Sequence, residues 1–138
     1  MPADDVSPAE ALDEEECRRL LTSATVGRLG FTVGALPTIV PVSFAMVGEA
    51  VIIPAHRSSP MVTAVRGAVV AFEVDSYDAA TETGWSVTVV GPSRVIADPD
   101  GTADWPGCGV RSRWTGPDRR YIWVQVGLLH GWRMPASP

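Results

Sequence analysis

At 138 residues, 46% of them hydrophobic, the chain is long enough for one domain with its own core, and 11 basic against 16 acidic residues leave a formal charge of −5. That balance leaves no electrostatic footprint for nucleic acid or an anionic membrane. All 11 basic residues are arginine, with no lysine and no asparagine, which excludes Schiff-base catalysis, pyridoxal phosphate attachment and a P-loop lysine.

Cys17 and Cys108 form no CxxC or CxxH spacing, so a zinc site or thioredoxin-type motif is not indicated and both are expected as free thiols. No apolar run approaches the roughly 20 residues needed to span a bilayer, and the amino-terminal segment is acidic rather than basic. The expectation is a single soluble, cytoplasmic domain over residues 1–138, without metal.

Residues 1–10 show no pattern and are expected to be loose. Leu12-Asp13-Glu14-Glu15-Glu16-Cys17 reads as a helix start, with Asp13 as N-cap, Glu16 at N3 and Leu12 placed to staple onto Cys17. Cys17, Leu20, Leu21 and Ala24 follow at the spacing of one apolar helical face. From Thr25 the period drops to two. Over 27–33, Leu29, Phe31 and Val33 share a strand face, and Gly34-Ala35-Leu36-Pro37 supplies turn chemistry. A strand over 38–47 sets Val40, Val42, Phe44 and Met46 on one face and Ile39, Pro41, Ser43 and Ala45 on the other. Pro41 cannot donate to a ladder, so it marks an edge, a bulge or a backbone group turned elsewhere.

A short strand over 50–55 completes a meander. His56-Arg57-Ser58-Ser59-Pro60 reads as a loop entering a short helix, with Ser59 as N-cap, Pro60 at N1, and Met61, Val62, Val65 and Ala68 as its apolar face. Strands are predicted over 69–75 and 85–96, the second broken at Gly91-Pro92. The stretch 97–118 holds four glycines and three prolines and is expected to carry a short helix near Trp105 or to act as a functional loop. A last strand covers 121–129. Strands joined mostly by short turns favour a mainly β, antiparallel fold. A six-stranded split β-barrel with two or three short helices removes sheet edges most economically.

Groups able to carry chemistry are few. His56 and His130 are the only histidines, and local sequence suggests no Ser-His-Asp or Cys-His grouping. Glu73 and Asp75 fall on one strand face, as paired carboxylates do, and a solvated outer face explains them as well. The loop Arg57, Ser58 and Ser59 before a helix start is a candidate anion site, through backbone N–H groups, two hydroxyls and a guanidinium, or simply a capping arrangement. Of the five tryptophans, Trp123 suits core filling, whereas Trp132, between His130 and Arg133, suits a ligand rim or subunit interface. A bound redox cofactor would remove the need for a catalytic constellation, and no catalytic residue is assigned.

Several strings, in this order and spacing, resemble the pyridoxamine 5′-phosphate oxidase-like, FMN-binding split-barrel proteins, in particular their small actinobacterial members. They are Leu12-Asp13-Glu14-Glu15-Glu16-Cys17 with Leu20-Leu21, Val26-Gly27-Arg28-Leu29, Pro41-Val42-Ser43-Phe44, Val70-Ala71-Phe72-Glu73-Val74-Asp75 and Gly84-Trp85-Ser86-Val87, together covering about 12–96. The resemblance implies a homodimeric flavin oxidoreductase with two equivalent FMN sites at the subunit interface. It places Pro41, Val42, Ser43 and Phe44 along the isoalloxazine ring, the phosphate near 55–61, and Trp85 and Ser86 on a neighbouring strand. Trp132 joins them as a rim residue. Relatives usually carry Arg-Thr-x-x-x-x-Lys-Leu at the phosphate loop, where this chain has Pro54, Ala55, Pro60 and Met61. None of these has a side-chain donor, which leaves Arg57, Ser58 and Ser59 as replacements. Three alternatives follow: a cofactor-free dimeric binding or scaffold protein, F420 held by Arg111, Arg113, Arg119 and Arg120, or haem ligated by His56 or His130.

Overall fold

The computed structural model describes residues 10–97 and 116–135. The first helix forms where its cap predicts. Asp13 accepts the Glu16 backbone N–H at 2.8 Å, three glutamates occupy the first turn where the helix dipole favours negative charge, and α1 (Glu14–Ser23) buries Cys17, Leu20 and Leu21. The chain enters α1 from β1 (Glu10–Ala11), so Glu10 is paired rather than loose. The second helix, α2 (Pro60–Val65), is capped by Ser59, whose hydroxyl accepts the Met61 N–H, and it stops before Ala68.

The strands are β2 (Val26–Val33), β3 (Leu36–Ser43), β4 (Ala45–Val47), β5 (Ala50–His56), β6 (Val69–Asp78), β7 (Thr83–Ala97), β8 (Arg119–Gln125) and β9 (Leu128–Met134). They hydrogen-bond, all antiparallel, in the order β3-β2-β6-β7-β8-β5-β4, with β9 also on β7 and β1 on β9. The mainly β, antiparallel expectation therefore holds, but the count and closure differ: the sheet has nine strands, and β3 and β4 end the path without pairing to each other. All six predicted strands are present. The strand over 38–47 divides at Phe44, which leaves the ladder to donate its N–H to Thr25 O and pack its ring on Phe72. The last strand divides at 126–127, and β1 is the ninth.

The second division is the corner of the molecule. The amino-terminal half of β7 pairs with β9 and its carboxy-terminal half with β8, the exchange falling at Gly91-Pro92 as the sequence predicts. A Cβ on Gly91 would lie 1.8 Å from Gln125 O, so only glycine permits the crossing. One sheet face, carrying Leu29, Phe72, Val74, Val87 and Val89, meets Val51, Ile53, Ile122 and Val124 in the core, covered by α1 and α2. Buried Ser93 donates its hydroxyl to Ala68 O at 3.1 Å and ties the end of the α2 segment to β7. No helix among the described residues is long and apolar enough to cross a membrane.

Candidate functional site

The opposite face of β3-β2-β6-β7-β9 points away from the core, and its register orders it into rows. One row is apolar and runs Ile39, Gly30, Ala71, Val90, Leu128. The next is polar: Pro41, Arg28, Glu73, Thr88, His130. A third places Asp75 opposite Ser86, and Ser86 opposite Trp132. Pro41 and Ser43 are exposed on this face, and because β3 pairs only with β2, Pro41 does sit on an edge strand. Val42 faces inward, as does Phe44 just beyond the strand.

Four of the ten residues singled out from sequence therefore share this face: Pro41, Ser43, Ser86 and Trp132. They are not one cluster within a chain, since β2 and β6 separate β3 from β7, about 14 Å at the usual strand spacing. Trp85 points to the other side, half-buried, and lines a cavity of about 340 Å³ with Ser76, Asp78, Thr83 and Arg133. Trp132 is partly buried, and its indole Nε1 is the one buried side-chain nitrogen or oxygen among the described residues without a hydrogen-bond partner.

The loop before α2 lies elsewhere, against the start of β8, and its side chains are engaged locally. Arg57 Nε lies 3.0 Å from Asp118 Oδ1, Ser58 Oγ is 2.7 Å from His56 Nδ1, and Ser59 Oγ caps α2. Pro54 and Ala55 are buried within β5, and Pro60 opens the helix. Of the arginines considered for F420, Arg119 is buried with its guanidinium over the Tyr121 ring and Arg120 donates to Pro117 O, while Arg111 and Arg113 lie outside the described residues. Trp105, Cys108 and the helix expected near them also lie outside the described residues. No group of three or more metal-ligating side chains occurs among the described residues; His130 is exposed and His56 contacts Ser58.

The polar row contains what sequence reasoning missed. Glu73 and Asp75 were legible as a pair on one face, but not their counter-ion. Pairing of β2 with β6 sets Arg28 beside both, its Nη1 3.3 Å from Glu73 Oε1 and 2.6 Å from Asp75 Oδ2. Burial, then the hydrogen bond and charge of Asp75, push the Glu73 carboxyl up to about 7 despite the opposing pull of Arg28. These three residues, with Gly30, Ile39 and Ala71, line a cleft of about 300 Å³.

Residues 13–119 match the sequence family described as pyridoxamine 5′-phosphate oxidase. The uncharacterized protein Rv0080 of Mycobacterium tuberculosis is 41% identical over 97 residues, 67% of this chain and 64% of its own length. The chain thus spans somewhat under two thirds of that relative. Among solved structures, an FAD-binding protein of Mycobacterium smegmatis is 27% identical at a TM-score of 0.69, over 92% of this chain and 99% of its own. An FAD-binding protein of Mesorhizobium loti (20% identical, TM-score 0.72, 92% and 99% covered) shares the fold. So does an FAD- and haem-binding protein of M. smegmatis (18% identical, TM-score 0.74, 93% and 75% covered).

Proposed function

The chain belongs to the pyridoxamine 5′-phosphate oxidase family, and on that premise we propose that it is a flavin-binding oxidoreductase, a homodimer of split-barrel subunits with the cofactor between them. The observation that carries this reading is the outer face of the sheet, where Ser86 stands opposite Trp132 and where Pro41 and Ser43 line the unpaired edge of β3. Edge strand β3 offers backbone groups beside Pro41 and Ser43 that no other strand pairs. Because β2 and β6 separate β3 from the Ser86–Trp132 pair, a ring touched by both would draw them from two copies of the chain.

The residues do not fit a terminal phosphate at 54–61. Pro54, Ala55, Pro60 and Met61 offer no side-chain donor, and Arg57, Ser58 and Ser59 are held by Asp118, His56 and the helix cap. FMN depends on such a seat more than FAD, whose phosphate continues into a diphosphate, and FAD is what three solved relatives are named for. We therefore favour FAD. Bound flavin would supply two-electron transfer, while the chain's part is to hold and orient the ring through Trp132, Ser86 and the β3 backbone and to keep water from it.

Titration of the purified protein with FAD, FMN and F420, followed by tryptophan fluorescence and visible absorbance, tests this. FAD is expected to bind most tightly, with Ser86→Ala weakening it about five- to tenfold, the worth of one hydrogen bond. A colourless protein indifferent to all three at micromolar concentration would leave the cofactor-free scaffold as the reading.

A further inference from the structure

Three charged side chains stand together on the outer face, and they do not balance. Arg28 Nη1 lies 3.3 Å from Glu73 Oε1 and 2.6 Å from Asp75 Oδ2, so two carboxyls share one guanidinium and carry one net negative charge when both are ionised. No second arginine faces them from the adjacent strands: β7 presents Ser86 and Thr88, and the row ends in Pro41 on β3 and His130 on β9. Glu73 and Asp75 also hydrogen-bond to each other. Burial, that hydrogen bond and the Asp75 charge hold the Glu73 carboxyl at about 7. With its proton in place Glu73 donates to Asp75, Asp75 also accepts from Arg28, and the trio is neutral.

The trio stands on β2 and β6, the two strands that separate the β3 edge from Ser86 and Trp132. Two copies that each lay a β3 edge on the other's Ser86 and Trp132 therefore enclose β2 and β6 between those contacts. Apolar neighbours lie on the same ground: exposed Val26 two residues before Arg28, and on the other side the cleft floor of Gly30 and Ala71 beside exposed Ile39. Withdrawing an uncompensated charge from water is strongly disfavoured, and the protonated, neutral trio avoids that cost.

We propose that two copies associate through this face with uptake of one proton per chain from solvent, held between Glu73 and Asp75, so that the trio loosens the dimer as the solution turns alkaline. The proposal rests on the homodimer inferred above and adds its regulation.

The test is the dissociation constant of the full chain at pH 6 and pH 8, from dilution series followed by fluorescence-detected sedimentation. In the free chain Glu73 keeps its proton below about 7 and loses it above, so association takes up little at pH 6 and one proton per chain at pH 8. The dimer is expected to be about 100-fold weaker at pH 8, tenfold for each chain. Glu73→Gln and Asp75→Asn each leave one carboxyl to one guanidinium, and should hold the constant within about threefold across this range, near the parent's value at pH 6. His130→Gln should keep the parent's pH dependence. A dimer equally tight at both pH values would overturn the switch and leave the homodimer standing. A pH dependence that survives both carboxyl variants, or that His130→Gln removes, would also sink it, by assigning the proton to another group. Protein that is monomeric at micromolar concentration at both pH values would overturn the homodimer, and the switch with it.

Discussion

Glu73 is the residue at which sequence, packing and solvent chemistry meet most directly. Its carboxyl lies at about 7 in the folded chain against an ordinary value of 4.5. The folded state therefore binds more protons than the unfolded one between those values. This contribution to stability is fully present below about pH 4.5 and is lost as pH rises through 7. Glu73→Gln removes the titration, so the variant should gain on the order of 1 kcal/mol over the parent at pH 8, discounted because the side chain is partly exposed, and little at pH 4.5. Urea unfolding at the two pH values checks this, and an equal effect at both would refute it. Glu16 acts in the opposite window: its hydrogen bond to Arg19 holds it below the ordinary range, so its contribution is lost only as pH falls under that range. The two titrations are thereby separable.

Among the elements, local chemistry predicted well wherever local chemistry decides. Asp13 and Ser59 cap the two helices as their spacing requires, and the alternation in β2 and β3 sends Leu29, Val40 and Val42 inward and Pro41 and Ser43 outward. What escaped depends on partners distant in sequence. The pairing of Arg28 with Glu73 and Asp75 needs the register of β2 on β6, and the engagement of Arg57 needs Asp118 at the start of β8, 61 positions later. The division of the last strand likewise follows from β7 exchanging β9 for β8 at Gly91. That corner and the cleft floor give opposite expectations for one substitution. Gly91→Ala drives a Cβ into Gln125 O and should cost about 3 kcal/mol or more. Gly30→Ala makes only ordinary contacts, 3.7 Å to Ala71 O and 3.8 Å to its Cβ, and should stabilise by about 0.4–1 kcal/mol. Denaturant midpoints of the two variants measure both, and a Gly30→Ala variant as damaged as Gly91→Ala would refute the difference in packing.

At the scale of the whole molecule, the outer face is what the fold leaves unexplained. Val26, Ile39, Val69 and Leu128 all stand on it with more than half of their surface exposed, although the core is otherwise well covered. Four of the seven exposed large apolar side chains among the described residues stand on this one face, and such a gathering marks a surface that meets something. A second copy satisfies the requirement: it would cover these residues and bring one chain's β3 edge toward the other's Ser86 and Trp132, which no single chain can do across two intervening strands. Leu128→Arg, at the end of the row farthest from the cleft, places a charge in the interface without touching the core. It should convert a dimer to a monomer by light scattering at micromolar concentration and lower flavin affinity, because each site would then lack its second chain. A Leu128→Arg protein that stays dimeric would place the interface elsewhere, and one that becomes monomeric yet binds flavin unchanged would confine the cofactor site to a single chain.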